Sequence, residues 1–355
     1  MTTPTPVNDL AEQRRAFYDE IRPYNMAPLW EVLHGLVIPE PKSPAAPAKW
    51  SYDTARDCLL RAGDLITAEE AERRVLVLEN PAMTGQSCIT RTLYAGLQLI
   101  LPGESAPVHR HSQSALRFVM EGSGAFTSVG GERAYMEPFD LVMTPSLHWH
   151  GHGNDTSVPM IWLDGLDIPL VRALDASFAE GMRGTAGEEA ARERRPPGDN
   201  IVRYGSNLRP VSGTTADVNP STQPLFHYRY ADWSESLARA AASSDPDPHF
   251  GIKLEFLNPA TAGPVMNTIS AFAQQIPAGF RTRPVQDTAG QIHVVCGGSG
   301  QAEVGDERFE LSLRDVFVVP AWTPLSLAAE EDLVLFSFSD QVVQRQLGLW
   351  RERRH

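Results

Sequence analysis

The first 74 residues are patterned as helices. Helical signals occur in AEQRRAFYDEI, MAPLWEVLHGLV and WSYDTARDCLLRAG, with the proline-rich connector PEPKSPAAPAKW between them. Thr67 is followed three residues later by Glu70, which is the spacing of a capping box at the start of a short helix. We therefore predict an N-terminal helical arm over residues 1–74.

From Val75 the pattern changes to short alternating apolar runs separated by Gly, Pro, Asn and Asp. The runs are VLVLE, LYAGLQLILP, ALRFVMEG, LVMTP and MIWLDGL. Period-two alternation broken by turn residues is typical of an antiparallel sandwich or barrel. We predict a first barrel over residues 75–171.

The rest of the chain repeats this organisation after a polar break. Residues 172–224 are predicted to be a linker that can serve as a flap, since residues 181–224 are rich in charge, Pro, Gly and Ser. Strand patterns return in GIKLEFLNP, QIHVVCGGSG and RFELSLRDVFVVP, which predicts a second barrel over 225–340. The closing DQVVQRQLGLWRERR predicts a helix over 341–355, its Arg-rich last turn facing the negative end of the helix dipole.

The two β regions resemble each other in sequence. QLILPGESAPVHRHSQSALRFVMEGSGAF aligns with QQIPAGFRTRPVQDTAGQIHVVCGGSGQA, and EPFDLVMTPSLHWH aligns with SLRDVFVVPAWTPL. An internal duplication explains both matches. The predicted fold class is therefore an all-β core of two antiparallel barrels with an N-terminal helical arm and a C-terminal helix.

Composition excludes several classes of partner. The 355 residues carry 44 acidic and 31 basic side chains, a net charge of −13, which argues against nucleic acid or an anionic membrane as a partner. No apolar run approaches the ~18 residues that span a bilayer, and MTTPTPVNDLAEQRR lacks the features of a signal peptide. Three scattered cysteines without C-x-x-C spacing indicate reduced thiols. We expect a cytoplasmic protein.

Candidate metal ligands occur in two segments of the first barrel. Gly103 is followed after five residues by His109-Arg110-His111, and Asp140 is followed by Pro145 and His150. These spacings fit the two cupin motifs. Histidines two apart on a strand point to the same face, so His109 and His111 should face the barrel interior together. His148 and His152 share the parity of His150, but the cupin spacing selects His150.

The glutamate ligand of the general cupin pattern is missing. It would fall at Ala115 or Leu116, and neither side chain can bind a metal. A divalent metal on three neutral imidazoles keeps its full charge and up to three open positions. A carboxylate beside an ionised phenolic hydroxyl would neutralise that charge and fill two positions, with oxygen in the third. The site is thus suited to an ortho-hydroxybenzoate and less to a water-activating hydrolase.

Polar side chains are expected to line the same barrel. If Ala115 faces inward, strand parity turns Arg117 inward as well, either as an anion receptor or in a structural pair with a buried acid. Tyr94, Gly96 and Gln98 share one face of the preceding strand and form a suitable lining for a polar aromatic ligand. Asp164 could orient a ligand histidine, bond a ring hydroxyl or be a plain turn residue.

The motifs together resemble the gentisate 1,2-dioxygenase family, whose relatives act on salicylate-type acids. The resemblance covers nearly the whole chain and is most specific in HRHSQSALRF and WHGHGN. It implies a bicupin with one Fe(II) per chain on His109, His111 and His150. It further implies catalytic roles for Arg117, His152 and Asp164, and substrate contacts at Arg73 (or its neighbour Arg74), Tyr94, Gln98, Arg117, His152 and Asp164.

The resemblance also implies a reaction and an assembly. The family adds both atoms of O2 between ring carbons 1 and 2 of gentisate in an extradiol-type cleavage that gives maleylpyruvate, and it suggests a homotetramer held by the helical arm. A preference for salicylate or 1-hydroxy-2-naphthoate remains an alternative, as does a non-catalytic bicupin that binds a ligand.

The second barrel is predicted to be metal-free and architectural. Val285, Asp287 and Leu325 occupy the positions that match the three histidines, and one carboxylate cannot make a first-row metal site. The apolar neighbours of His293 suggest core packing.

Overall fold

The computed structural model describes residues 7–181, 195–206 and 223–355, and the chain divides into two compact units at residue 42. In the first unit, helix α1 (Val7–Ile21) is followed by a 3₁₀ turn and helix α2 (Leu29–Leu36). The Tyr18 hydroxyl donates to the Glu31 carboxylate and accepts from Trp30 Nε1 at 2.9 Å. These bonds tie the two helices together.

The second unit begins with a short strand and two helices. They are β1 (Ala48–Trp50), α3 (Tyr52–Leu65) and α4 (Ala68–Ala71). The predicted capping box is confirmed: the Thr67 hydroxyl accepts from Glu70 N, and the Glu70 carboxylate accepts from Thr67 N. No helix among the described residues has the length and hydropathy to cross a bilayer.

The next segment of the chain contributes ten strands and one α-helix to the N-terminal barrel. Its strands are β2 (Arg74–Val77), β3 (Tyr94–Ile100), β4 (Ser105–His111), β5 (Ala115–Glu121), β6 (Phe126–Val129), β7 (Glu132–Tyr135), β8 (Leu141–Thr144), β9 (His150–Gly153), β10 (Met160–Leu166) and β11 (Ala179–Gly181). Helix α5 (Ile168–Ala173) lies between β10 and β11.

Most of the predicted linker 172–224 lies outside the described residues. Within its described parts are β11 and helix α6 (Asp199–Tyr204), and strand β12 (His227–Tyr228) and helix α7 (Tyr230–Ser243) come next. The domain boundaries proposed from the sequence stay a prediction.

The C-terminal barrel repeats the strand plan. Its strands are β13 (Ile252–Glu255), β14 (Leu257–Asn258), β15 (Gly263–Pro264), β16 (Ser270–Ile276), β17 (Val285–Asp287), β18 (Gln291–Gly297), β19 (Gly300–Val304), β20 (Glu307–Leu311), β21 (Val316–Val319), β22 (Leu325–Ala329), β23 (Leu333–Ser339) and β24 (Glu352–Arg354). The closing helix α8 (Gln341–Gln346) is shorter than predicted. Gly348, at φ 70°, turns the chain so that the arginines predicted for a helix terminus lie on or beside β24 instead.

Sheet order confirms the two-barrel fold expected from the duplication. One barrel contains the sheets β12-β8-β5-β10-β3-β2 and β11-β4-β9-β6-β7, and the other contains β1-β21-β18-β23-β16-β13 and β20-β19-β22-β17-β24. The register matches as well, because His109 pairs with His150 across β4 and β9 just as Val285 pairs with Leu325 across β17 and β22. The sequence alignment thus describes real spatial equivalence.

The main hydrophobic core lies between the six-stranded sheets of the two barrels. Phe118 of β5 and Phe336 of β23 are fully buried and stack at 4.0 Å between ring centroids. A Cβ atom at Gly165 would come within 2.7 Å of the Phe338 ring, so the barrels meet closely at this point. Even residues of β5 face this core, which leaves the odd residues to face the barrel interior.

Each half of the chain supplies an edge strand to the other half. β1 pairs with β21 of the C-terminal barrel, and β12 pairs with β8 of the N-terminal barrel. Asp315 accepts from the main-chain N of Tyr52 at 3.1 Å, where α3 begins, and Asp140 accepts from the main-chain N of Tyr230 at 2.7 Å, where α7 begins. Asp140 and Asp315 therefore occupy equivalent positions in the two barrels, and each binds the segment that comes from the other half.

Candidate metal centre and substrate pocket

Strands β4 and β9 bring three histidines together inside the N-terminal barrel. The possible ligand atoms of His109, His111 and His150 all lie within 4.8 Å of one another, and no other such group of His, Cys, Asp or Glu occurs among the residues that the structure describes. The ring centroid of His150 lies 4.1 Å from that of His109 and 4.8 Å from that of His111. The cupin spacing thus corresponds to one compact cluster.

Main-chain carbonyls fix the orientation of these rings. Nδ1 lies 2.8 Å from Pro107 O in His109, 2.9 Å from Gln113 O in His111 and 2.8 Å from His148 O in His150. A carbonyl oxygen only accepts, so each Nδ1 carries the proton and each Nε2 presents its lone pair.

The Nε2 atoms fit a metal. Those of His111 and His150 are buried and have no hydrogen-bond partner among the described residues, and a buried lone pair without a partner is unfavourable unless something binds it. Burial, together with the nearby Arg73 guanidinium, lowers the pKa of His109 to about 3, and burial lowers the pKa of His111 to about 4. The imidazoles are therefore neutral near pH 7, which is the form that binds metals. The three histidines form a metal site.

The two neighbouring arginines have different environments. The Arg73 guanidinium contacts Nε2 of His109 at the edge of the cluster. Arg74 is buried, pairs with the Glu104 carboxylate at 2.9 Å and donates to Ile66 O. Arg74 is thus engaged in a structural pair, and of these two neighbours it is Arg73 that contacts the histidine cluster.

Arg117 and Asp164 lie side by side in the barrel interior. Both are buried, and the register places them opposite each other on β5 and β10. Arg117 Nε is 3.6 Å from the Asp164 carboxylate, and another guanidinium nitrogen donates to the Thr144 hydroxyl at 2.6 Å. Burial lowers the pKa of Arg117 to about 10 and raises that of Asp164, and each charge opposes the shift of the other. Nε of Arg117 keeps no hydrogen-bond partner among the described residues.

Asp164 does not orient a ligand histidine, which was one of the expected roles. Its carboxylate accepts from Trp162 Nε1 at 3.1 Å, and main-chain carbonyls hold the histidine rings instead. Asp164 lies beside Arg117 and is the buried acid with which Arg117 was alternatively expected to form a structural pair.

His152 lies beside the three-histidine cluster and outside it. Its ring centroid is 5.9 Å from that of His150 and 5.5 Å from that of Trp162. Nδ1 of His152 is 3.0 Å from the Thr127 hydroxyl, which is also 3.4 Å from the Met136 sulfur. A thioether only accepts, so the hydroxyl donates to Met136 and accepts from Nδ1–H. Nε2 of His152 is then left as an acceptor.

Strand β3 places Tyr94, Gly96 and Gln98 on one face, as expected from the sequence. Tyr94, Gly96 and Gln98 pair with Leu166, Asp164 and Trp162 of β10. A Cβ atom at Gly96 would come within 2.7 Å of the Tyr94 hydroxyl oxygen, so the glycine makes room for the tyrosine. Burial raises the pKa of Tyr94, and the charge of Asp164 raises it further.

Thr127 and Thr144 are the two site residues that the motifs did not indicate. Both are fully buried, and each bonds a polar side chain of the site. Strand parity in FTSV turns Thr127 to the face opposite Phe126, which was the only signal in the sequence. His148 lies outside the cluster, with Nδ1 at 3.1 Å from Ser146 O.

Comparison with known proteins agrees with this site. Residues 96–166 match the family model described as a cupin domain. The chain is 47% identical over 346 residues to gentisate 1,2-dioxygenase 1 of Aquipseudomonas alcaligenes, covering 98% of each chain, and 35% identical to 5-aminosalicylate 1,2-dioxygenase of Comamonas sp, covering 95% of this chain and 89% of that one.

A solved structure shows the same fold. The salicylate 1,2-dioxygenase from Pseudoaminobacter salicylatoxidans, determined as adducts with gentisate, superposes with a TM-score of 0.88 at 33% identity, covering 100% of this chain and 96% of that one. Similarity of this extent, over both barrels and the helical arm, places the chain in the gentisate 1,2-dioxygenase family of ring-cleaving cupin dioxygenases.

Proposed function

We propose that this protein uses O2 to cleave the ring of gentisate between carbons 1 and 2, giving maleylpyruvate, with one Fe(II) per chain held by His109, His111 and His150. The observation that carries the proposal is the convergence of three neutral Nε2 atoms without a carboxylate ligand. Three imidazoles leave room for two substrate oxygens and O2. Iron is favoured because imidazole suits Fe(II) and because reaction with O2 requires a redox-active metal. The bound metal would hold the reactants and supply that redox chemistry.

The arginines beside the histidines would bind the substrate carboxylate. Arg73 lies at the edge of the cluster, and Arg117 has an Nε–H without a hydrogen-bond partner among the described residues. A buried guanidinium forms charge-assisted hydrogen bonds of well-defined direction with a carboxylate. Gln98, buried on β3, would add a contact to the substrate carboxylate, and Tyr94 would pack along the edge of the substrate ring.

His152 would manage a proton at the ring hydroxyl. Its Nδ1–H is held by Thr127, so Nε2 can accept the proton that the hydroxyl loses on binding. Asp164 would keep Arg117 charged and in place, and its carboxylate can accept from a second ring hydroxyl. Gentisate also has a 5-hydroxyl that donates electron density to the ring. Salicylate lacks this hydroxyl.

A parallel assay tests the substrate. Iron-loaded protein is given gentisate, salicylate, 5-aminosalicylate or 1-hydroxy-2-naphthoate in separate reactions, and ring-opened product is followed by absorbance together with oxygen uptake. We expect the highest kcat/KM for gentisate and one O2 consumed per product. A higher kcat/KM for another acid would reassign the substrate, whereas binding of all acids without oxygen uptake would indicate a non-catalytic bicupin.

We also propose that the chain forms a homotetramer through its helical arm and acts in the cytoplasm. On helix α2, Leu29, Trp30, Leu33 and Leu36 are exposed, and a cluster of exposed apolar side chains is typical of a protein interface. The cytoplasmic assignment is supported by three cysteines that are all free, as a reducing compartment permits.

A further inference from the structure

The C-terminal barrel keeps polar residues where the N-terminal barrel has its pocket. By the duplication, Gln274 corresponds to Gln98 and His293 corresponds to Arg117. Ser337 corresponds to Asp164, because Ser337 pairs with Phe272 and His293 just as Asp164 pairs with Gly96 and Arg117. The positions that match the metal ligands carry Val285, Asp287 and Leu325, while these three pocket positions are polar in both barrels.

These polar side chains are buried, and several of their polar atoms lack a partner, although Gln274 Nε2 donates to Phe250 O. His293 is 0% exposed, and Gln274 and Ser337 are each 2% exposed. Both ring nitrogens of His293, the Ser337 hydroxyl and Gln274 Oε1 have no hydrogen-bond partner among the described residues. Folded proteins rarely leave several such atoms together unless water or a ligand satisfies them. Other buried residues of this barrel form an apolar cluster, and one of them, Phe317, stacks on His293.

A lysine adds a positive charge beside this polar group. Lys253 pairs in register with Gln274, and its Nζ lies 4.5 Å from the centroid of the Phe272 ring. It is half-buried and forms no direct ion pair with any residue that the structure describes, and the carboxylates of Asp287, Glu352 and Glu255 act on its charge only from farther away. The nearest equivalent of a metal ligand, Asp287, is already used, since it accepts from Ala289 N and Gln291 Nε2. A ligand that satisfies this group should therefore carry negative charge.

The size of the ligand is limited by aromatic rings. Phe272 stands where the N-terminal barrel has Gly96, and the Phe317 ring stacks on His293 at 4.7 Å between centroids. Two aromatic rings beside the polar atoms argue against an aromatic acid and for an anion of a few atoms.

We propose that the C-terminal barrel binds a small carboxylate, of the size of formate or acetate, between Lys253, His293 and Ser337. The Lys253 ammonium, one His293 N–H and the Ser337 hydroxyl donate to the carboxylate oxygens, and a water beside the ligand donates to Gln274 Oε1. The second barrel is then a ligand-binding domain and not only a support for the first. This proposal is independent of the substrate of the N-terminal barrel.

Two measurements on the iron-loaded protein test the site. In crystals soaked in sodium bromide, the anomalous signal should show a bromide in contact with Lys253 Nζ and the Ser337 hydroxyl. In solution, formate should raise the midpoint of thermal unfolding. Lys253→Met should remove the bromide peak and weaken the formate effect by about tenfold or more, because a charge-assisted contact is lost.

Matched variants keep the test specific. Lys42→Met makes the same change at an exposed position and should leave both signals unchanged. If Lys253→Met fails to fold, Ser337→Ala serves in its place and should also weaken formate binding. Ordered water in place of bromide in the wild-type crystal would overturn the proposal. So would a bromide peak without any formate-dependent shift, which is binding at crystal concentration only, and so would full formate binding by Lys253→Met.

Discussion

Each ring of the histidine cluster is oriented by the main chain close to it in sequence. The three Nδ1 atoms bond carbonyl oxygens two residues away, so the local backbone sets the direction of each Nε2. Such contacts normally tune both affinity and ring position in metal sites. The orientation of these rings therefore depends on backbone carbonyls and not on other side chains.

Replacing His111 by alanine should remove the metal and the activity together, because only two imidazoles would remain. Metal analysis of wild-type protein should give about one iron per chain, and the variant should give close to none. The matched control is His148→Ala, whose histidine lies outside the cluster. Full iron content with normal turnover in His111→Ala would show that the metal lies elsewhere.

Replacing Arg117 by alanine should weaken substrate binding while iron stays bound. Loss of a buried charge-assisted contact typically costs on the order of 2–5 kcal/mol, which should appear as a large rise in KM or fall in kcat. Since Asp164 also loses its partner, the thermal unfolding midpoint must be measured beside the kinetics. Near-normal kinetics with reduced stability would show that Arg117 serves only the ion pair.

Thr127→Val should lower kcat with little loss of iron, because the hydroxyl that holds Nδ1 of His152 would be absent. Thr127→Ser keeps that hydroxyl and should restore most of the rate. His152→Ala should have at least the effect of Thr127→Val and should also retain iron. If His152→Ala loses the metal and His150→Ala retains it, His152 is the metal ligand and His150 is not.

At the scale of elements, the exchanged edge strands depend on two buried aspartates. Asp140 accepts from Tyr230 N and from His227 Nε2, both at 2.7 Å. Asp315 accepts from Tyr52 N and from Lys49 Nζ, the latter at 2.8 Å. Each aspartate thus joins a strand and a helix of one half to the barrel of the other half.

Asp140→Ala should destabilise the protein by roughly 2–4 kcal/mol, since the donors Glu137 N, His227 Nε2 and Tyr230 N all lose their acceptor. Chemical denaturation measures the change, and Asp306→Ala, at an exposed turn, provides the control. A loss below about 0.5 kcal/mol, typical of surface substitutions, would show that the crossing strand is held by its sheet pairing alone.

Much of this organisation could be predicted from the sequence, because strand parity and motif spacing are local signals. They indicated both barrels, the histidine cluster and the inward direction of Arg117. The pairing of β1 with β21 joins residues more than 260 positions apart, and no local pattern encodes that choice. The contact of Thr127 with His152 depends on how β6 meets β9, and the length of α8 was overestimated because Gly348 was not given its role in ending the helix.

At the scale of the whole molecule, the exposed apolar face of α2 predicts association between chains. Leu36→Glu, alone or with Leu33→Glu, should convert the proposed tetramer to smaller species, since each change places a charge on the apolar face of α2. Light scattering coupled to size-exclusion chromatography measures the mass. Arg14→Glu, on the exposed surface of α1, should leave the mass unchanged. A monomeric wild-type protein would contradict the assembly.

The pairing of β1 and β12, each with the barrel built by the other half of the chain, has the form of a domain swap. Each half of the chain begins with a strand that pairs with the other half, continues into a helix and then builds its own barrel. A shorter chain with only one such half would find the partner for its first strand in a second copy of itself. A one-barrel ancestor with this element order would have been an intertwined dimer, folded only at sufficient concentration. Fusion of two such copies would make the exchange intramolecular, and either copy could then do without metal ligands while both sheets stay complete.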